Sequence, residues 1–242
     1  MFTTILFILL CGIAFPIGGC AMQRSWSNQL GDVYSVGIGS AACLGGAVAA
    51  CFSFSIYTGA LVACVASALI AYPVCRYVKT SNFVTFGMLF GSVIGACGTI
   101  VANNASPESL QEYYRWSSSS YFDIDAWKAI LPCVLVPFFI YRLLKTENKT
   151  ETFIITSLMV STLLPVVGFV GMISLVAPNI ARILKPGAPF VKECLVSAIV
   201  GVLLLLVTNT VIYLNPLGVY LPASATMSII ALPLLIITLR RN

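Results

Sequence analysis

The chain has 242 residues, of which 59% are hydrophobic and only 9% are charged, and its mean hydropathy is +0.99. A soluble globular domain carries about 25% charged residues, so this composition excludes one and predicts an integral membrane protein. The net charge of +5 does not indicate a nucleic-acid partner, because the cations are spread between apolar segments in the way that membrane topology requires.

The apolar segments, taken in chain order, predict an all-α polytopic membrane protein with about nine helices. They fall at residues 3–23, 34–53, 58–78, 82–103, 127–145, 152–173, 175–184, 190–213 and 222–239. A helix that crosses a bilayer needs about 20 apolar residues, and eight of the nine segments approach or exceed that length. The seventh segment, 175–184, is too short to cross alone, so we expect the rest of the bundle to shelter it.

The distribution of Lys and Arg predicts the orientation in the membrane. If the N-terminus is outside and each segment crosses once, eleven of the thirteen cations face the cytoplasm, and only Arg115 and Lys128 lie outside. Cytoplasmic loops are enriched in Lys and Arg, so the C-terminus is predicted to be cytoplasmic. We therefore expect a single transmembrane domain over 1–242, with a first helical half at 1–103, an external loop at 104–126 and a second helical half at 127–242.

Neither a metal site nor a catalytic site is expected. The sequence has no His, and its nine Cys stand singly in apolar runs without ligand spacing. Paired intramembrane carboxylates, a phosphate-binding glycine loop and a Ser-His-Asp set are also missing from the sequence, so no cofactor is expected and ATP hydrolysis would belong to another chain. No charge lies deep within a predicted span, and Glu193 at a membrane edge comes nearest. This disfavours a carrier coupled to protons or sodium.

Three stretches carry a resemblance to a known family. They are GIAFPIGGCAMQRSWSNQLGDVYSVGIGSAA at 12–42, GFVGMISLVAPNIAR at 168–182 and YLPASATMSIIALPLLIITL at 220–239. In the same order, they resemble the Gln-bearing helix with its Asn-Pro-Leu-Ala sequel, the signature and the closing helix of the iron-chelate, haem and vitamin B12 permease family. Trp116 and Trp127 are spaced roughly like the two Trp of that family's outer loop. Members of this family are the membrane subunits of type II ABC importers, and the similarity spans nearly the whole chain.

The residues matched to the family signature are Gln23, Gly168, Gly171, Pro178, Asn179 and Arg182. Gly168 and Gly171 lack side chains where helices would pack closely. Pro178, near the start of the short seventh segment, would stand where a missing N–H costs little. Arg182 would emerge at the cytoplasmic face. Each of these residues taken singly is also compatible with ordinary packing or topology.

The resemblance implies a transport mechanism and a set of partners. Such permeases form dimers around a central path, with an ATPase pair below and a substrate-binding protein outside, in the cytoplasmic membrane of a bacterium or archaeon. The dimer would be a homodimer or a heterodimer with a second permease, surrounded by lipid. The family's cytoplasmic gate falls on Asn28 and Leu30 and on Thr80 and Ser81. Asn28 and Thr80 are equally compatible with a simpler role in capping adjacent helices.

The sequence also departs from the family pattern. The match begins at the second of the family's ten helices, and the family's ATPase-coupling segment is reduced to Lys145–Thr150, which is too short for two coupling helices. Asn179 replaces a family His, and Gln29 replaces the Pro of Asn-Pro-Leu-Ala. Tyr220 and Ser224 replace the closing Glu and Gly. Two alternatives to an importer permease for an iron chelate, haem or cobalamin-type substrate therefore stay open: an accessory or binding protein uncoupled from ATP, and a small substrate-capturing membrane subunit.

Overall fold

The computed structural model describes residues 2–35, 37–79, 82–118, 125–215 and 220–241. Within these ranges the chain is almost entirely α-helical, as predicted. The helices are α1 (Phe2–Ser25), α2 (Ile38–Cys51), α3 (Ile56–Tyr77), α4 (Phe83–Ala102), α5 (Pro107–Ser117), α6 (Ile130–Leu143), α7 (Lys149–Val167), α8 (Ile173–Leu184), α9 (Phe190–Leu214) and α10 (Ala223–Arg241). A 3-10 turn at Ala126–Ala129 precedes α6.

Each predicted apolar segment corresponds to one helix, and the helices differ in length. Five of the described helices, α1, α3, α4, α7 and α9, are long and apolar enough to cross a bilayer. α2 is a shorter apolar helix of 14 residues, about 21 Å, which begins only at Ile38. The described residues at the start of the predicted segment 34–53 are not helical, a difference that the apolar pattern could not show.

The centre of the bundle is formed by α1 and α7, and its periphery by helices such as α4. In α1 and α7, 72% and 78% of the apolar window is buried, against 17% in α4. Phe7 and Phe15 of α1 and Phe153 and Met159 of α7 lie fully inside the core. The short helix α8 is also sheltered, since most of its side chains are buried, and the prediction for the seventh segment is confirmed.

Two glycines allow α2 and α3 to touch backbone to backbone. A Cβ built on Gly45 would lie 2.2 Å from the carbonyl oxygen of Gly59, and a Cβ on Gly59 would lie 2.4 Å from the carbonyl oxygen of Gly45. No larger residue fits at either position without separating the two helices. Small residues at helix contacts serve this purpose in membrane proteins, where lipid removes the hydrophobic drive for association.

Helix α5 lies in the region that the sequence suggested was a loop. Ser106 is its N-cap, since its side-chain oxygen accepts a hydrogen bond from the N–H of Ser109 at 3.3 Å. Pro107 occupies the first helical position, and Glu108 lies in the first turn, where both residue types are favoured. The helix was missed because its composition is polar, although Ser-Pro-Glu is a helix-start signal.

The C-terminal end of α5 is fastened to the rest of the bundle. Trp116 donates a hydrogen bond from its indole nitrogen to the carbonyl of Pro165 in α7 at 2.8 Å. The carbonyl of Ser118 accepts a hydrogen bond from the Ser224 hydroxyl at 3.2 Å, at the start of α10. These contacts hold α5 across the ends of α7 and α10.

Candidate functional site

Three helices meet in a polar cluster of Gln23, Asn179, Arg182 and Glu193. Arg182, in the last turn of α8, donates to a Glu193 carboxylate oxygen on α9 at 2.7 Å and to the Asn179 side-chain oxygen at 2.8 Å. It also donates to the side-chain oxygen of Gln23 on α1. The side chains of Arg182 and Glu193 are only 26% and 18% exposed. A half-buried ion pair with further hydrogen bonds fixes helix positions, because separating either partner leaves an uncompensated charge.

The two amide side chains of the polar cluster extend its contacts to the chain that follows α1. The Asn179 side-chain nitrogen donates to the carbonyl of Leu175 at 2.7 Å and to the carbonyl of Gln29 at 3.1 Å. The Gln23 side-chain nitrogen also donates to Leu175, at 3.3 Å. The acceptor at Gln29 is its backbone carbonyl. Because Pro has the same carbonyl, the change from the family's Pro to Gln29 keeps this acceptor. Three of the predicted signature residues are thus in direct contact.

We call residues 26–33, which follow α1, the gate segment, because they include Asn28 and Leu30. The N–H of Asn28 donates to the carbonyl of Gln23 at 3.0 Å, and the Asn28 side-chain oxygen accepts from the N–H of Leu30 at 2.9 Å. Asn28 therefore shapes a turn inside the gate segment, as Asn side chains commonly do. Leu30 is 49% exposed at the tip of this turn.

Asp32 anchors the far end of the gate segment to α8. Its carboxylate accepts a hydrogen bond from the hydroxyl of Ser174, in the first turn of α8. Its backbone N–H donates to the Ser35 hydroxyl at 2.8 Å. Burial raises the pKa of the Asp32 carboxyl to about 6, although the hydrogen bond from Ser174 and the N–H groups of Val33 and Tyr34 oppose that shift.

The Asp32 anchor could not be predicted from the sequence. Ser174 and Arg182 are eight residues apart, about 12 Å along a helix, so Asp32 lies well away from the level of the polar cluster. Asp32 belongs to a connection and not to a predicted span, and its contact with Ser174 joins residues 142 positions apart. A single sequence without homologues offers no signal for such a pair.

Pro178 was expected near the start of the short seventh segment, where a missing N–H costs little, but it is the sixth residue of α8. Because Pro has no N–H, the carbonyl of Ser174 four residues earlier lacks its usual α-helical donor. That carbonyl lies against Gly19 of α1, where an added Cβ would be only 1.9 Å from its oxygen. The freed carbonyl is thus packed against the α1 backbone, a contact that only Gly at 19 permits.

Gly168 and Gly171 are turn residues, which the expectation of close helix packing did not foresee. Their φ angles of 71° and 86° are in the left-handed region that favours Gly. Gly168 ends α7, so the predicted segment 152–173 is not one continuous helix. Gly171 also approaches α10, where its Cβ would lie 3.1 Å from the carbonyl oxygen of Ser224. These two turns reverse the chain direction after α7, so that α8 packs inside the bundle.

The second pair of predicted gate residues, Thr80 and Ser81, lies outside the described residues. The chain just after them begins α4 at Phe83, whose ring stacks on Trp26 at the start of the gate segment with a centroid separation of 4.0 Å. Phe83 also packs edge-on against Phe153 of α7. The start of the gate segment is therefore a neighbour of the start of α4.

The connection between α6 and α7 is a short capped turn, and the prediction that it contains no coupling helices is confirmed. α6 ends at Leu143 and α7 begins at Lys149. Asn148 caps α7 by accepting hydrogen bonds from the N–H groups of Thr150 and Glu151 at 2.9 and 3.4 Å. Thr146 donates to the Glu151 carboxylate at 2.7 Å, so the turn is held from both sides.

The fold is that of known importer subunits. A solved metal-chelate type ABC transporter in an inward-facing conformation matches with a TM-score of 0.86 over 100% of this chain and 86% of that chain, at 17% identity. PsaBC from Streptococcus pneumoniae, solved in complex with Fab, matches with a TM-score of 0.62 over 98% and 89%, at 13% identity. The chain therefore has the fold of a type II ABC importer permease.

Sequence comparison leads to the family. The model of the FecCD transport family matches residues 1–148 and 146–241. The hemin transport system permease protein HmuU of Yersinia pestis is 22% identical over a match of 233 residues, and the coverage is 79% of this chain and 70% of that protein. The chain belongs to the FecCD transport family and is a permease subunit of an ABC importer, as its sequence motifs predicted. The two matched stretches meet at the turn between α6 and α7.

Proposed function

We propose that this chain moves an iron chelate, haem or a cobalamin-type substrate across the cytoplasmic membrane of a bacterium or archaeon, powered by a separate ATPase. Family membership supports the transport role, and the relative from Yersinia pestis is named for hemin. One observation carries the site assignment: Asn179, which accepts a hydrogen bond from Arg182, donates to the backbone of the gate segment that contains Asn28 and Leu30.

The proposed mechanism is a gate that opens when the gate segment leaves α8. The Asn179–Gln29 and Ser174–Asp32 hydrogen bonds hold this segment in the state seen here. Opening breaks both contacts and moves the exposed Leu30 aside, while the ion pair of the polar cluster keeps α1, α8 and α9 together. Thr80 and Ser81 form the other part of the same gate, and a second permease copy, identical or not, completes the path.

The proposed topology places the N-terminus outside and the C-terminus in the cytoplasm. Arg24, Arg142, Lys145 and Lys149 then all lie at the cytoplasmic end, which agrees with the excess of cations expected there. Helix α5 lies at the external end, where a substrate-binding protein docks. The ATPase subunit docks at the cytoplasmic end.

Co-purification with an ATPase subunit tests this function. The chain is expressed with the ATPase and any second permease encoded beside it, and the purified complex is assayed for ATP hydrolysis and substrate uptake in proteoliposomes. We expect a stable complex in which Asn28→Ala or Leu30→Ala changes ATP hydrolysis and uptake. The matched controls Asn104→Ala and Leu184→Ala replace exposed residues elsewhere and should leave both unchanged. Failure to bind any ATPase, even with a second permease present, would refute the proposal.

A second candidate function is a membrane-embedded binding or accessory protein that is uncoupled from ATP. The capped turn at residues 144–148 favours it, because this connection has no helix to reach an ATPase. In that case the chain binds its substrate or a second permease in detergent, but its presence leaves the ATPase rate unchanged. Gene neighbourhood separates the two candidates cheaply, since an adjacent ATPase and binding protein would favour the importer.

A further inference from the structure

A cleft of about 570 Å³ opens at the end of the bundle that carries Arg24. Its walls are the end of α1, the turn between α6 and α7, and the start of α9. Among its described lining residues are Arg24, Lys145, Lys149, Glu147, Thr146 and Phe190. The gate segment contributes only Ser27 to this lining, so the cleft is separate from the contacts that hold the gate.

The charge of the cleft suits an anion. Arg24, Lys145 and Lys149 are exposed cations, whereas Glu147 is the only acid among the described lining residues. The Arg24 guanidinium lies 4.6 Å from the centre of the Phe190 ring, which holds it over the cleft. The Lys145 ammonium lies 4.3 Å from the centre of the Tyr141 ring, outside the cleft lining, and donates to the Tyr141 hydroxyl at 2.5 Å.

The start of α9 adds to this positive field. Its N-cap is Pro189, which provides no side-chain hydrogen bond to the first turn of the helix. Phe190 and Val191 of that turn line the cleft. The positive end of a helix dipole, together with N–H groups lacking a side-chain cap, favours a phosphate or carboxylate nearby.

An apolar strip leads away from the cleft along α9. Val191, Leu195 and Ile199 repeat every four residues and are 48%, 58% and 61% exposed. Val191 itself lines the cleft, so the strip begins at the cleft wall. The neighbouring helix α6 also exposes apolar side chains, such as Phe138.

We propose that the cleft binds the phosphate headgroup of an anionic phospholipid, whose acyl chain lies along the α9 strip. The headgroup accepts hydrogen bonds from Arg24 and Lys145, and an acyl chain covers Val191 and Leu195. A polar cleft with several cations that continues into an apolar strip has the chemistry of such an amphiphile, and basic pockets between membrane helices are known lipid sites. This site does not depend on which substrate is carried.

Lipid-dependent stability tests the proposal on the purified full chain in neutral detergent. The thermal unfolding midpoint is followed as phosphatidylglycerol is added in mixed micelles, with phosphatidylcholine and inorganic phosphate as parallel arms. The cleft variant is Arg24→Gln/Lys145→Gln. The matched control is Arg76→Gln/Lys185→Gln, which removes the same charge from exposed positions that do not line the cleft.

We expect phosphatidylglycerol, and not phosphatidylcholine, to raise the midpoint of the wild type and of the control. The cleft variant should require about 30-fold more phosphatidylglycerol, because each of the two cations contributes roughly fivefold. An equal loss in the control would show that overall charge is responsible and would overturn the site. Stabilisation by inorganic phosphate alone would assign the cleft to a soluble anion instead. If the cleft variant does not fold, native mass spectrometry of the wild type decides, because retention of phosphatidylcholine as readily as phosphatidylglycerol refutes the proposal.

Discussion

Replacing Gly19 by Ala tests the contact that holds α8 against α1. The new Cβ would lie 1.9 Å from the carbonyl oxygen of Ser174 and 2.8 Å from its carbonyl carbon. An ordinary carbon–oxygen contact is about 3.4 Å, so the two helices must separate by about 1.5 Å. The obstacle is backbone, which cannot rotate away, so the cost is at the upper end of overpacking, about 3 kcal/mol. Ala returns about 1 kcal/mol through its higher helix propensity, which leaves a net loss of about 2 kcal/mol.

The loss is measured as the free energy of unfolding in detergent micelles, or as a fall of about 4–8 °C in the unfolding midpoint. The control is Gly95→Ala, also in a helix, whose new Cβ would meet nothing closer than the Ser40 hydroxyl at 3.7 Å. That variant should be as stable as the wild type or slightly more so. If Gly19→Ala proves as stable as Gly95→Ala, the close packing of α1 on α8 at Gly19 does not contribute to stability as inferred.

Three further predictions concern the polar cluster, the gate anchor and the turn before α7. Arg182→Met leaves Glu193 half-buried without its cation, so the free energy of unfolding should fall by about 3 kcal/mol. The double variant Arg182→Met/Glu193→Gln should recover part of that loss, and no recovery would argue against the ion pair. Because the raised pKa of Asp32 means that the folded protein holds a proton that the unfolded chain releases, wild-type stability should fall as pH rises from about 4 to about 6. Asp32→Asn should lack this pH dependence. Identical profiles of stability against pH for the wild type and Asp32→Asn would contradict the prediction. Asn148→Ala should cost about 1 kcal/mol through loss of the α7 cap, whereas Asn104→Ala should not.

Much of the helix pattern could be predicted from the sequence because hydropathy and charge are local properties. The nine apolar segments, the sheltered position of α8 and the capped turn at 144–148 all follow from residue composition within about 20 positions. The boundaries depended on finer features. Gly168 ends α7 by adopting a positive φ, although the apolar run continues through it.

The contacts of the candidate site could not be predicted, since they join distant parts of the chain. Gln23 and Arg182 were singled out only through the family resemblance, and Glu193 was noted only as a charge at a membrane edge. Their hydrogen bonds connect three helices across as many as 159 residues. The anchoring contact of Asp32 could not be predicted, because a carboxylate in a short connection is normally expected to be solvated. Only the fold shows that this connection turns inward.

The gate segment has a further consequence for the direction in which the protein can open. The segment is not helical, so its peptide groups depend on partners such as the Asn28 and Asn179 side chains. Hydrocarbon offers no replacement for those partners, and each exposed peptide group would cost several kcal/mol there. A movement of the segment into lipid is therefore disfavoured relative to a movement toward water or another protein surface. In the proposed gate, solvation thus selects the path of the segment before any partner applies force to it.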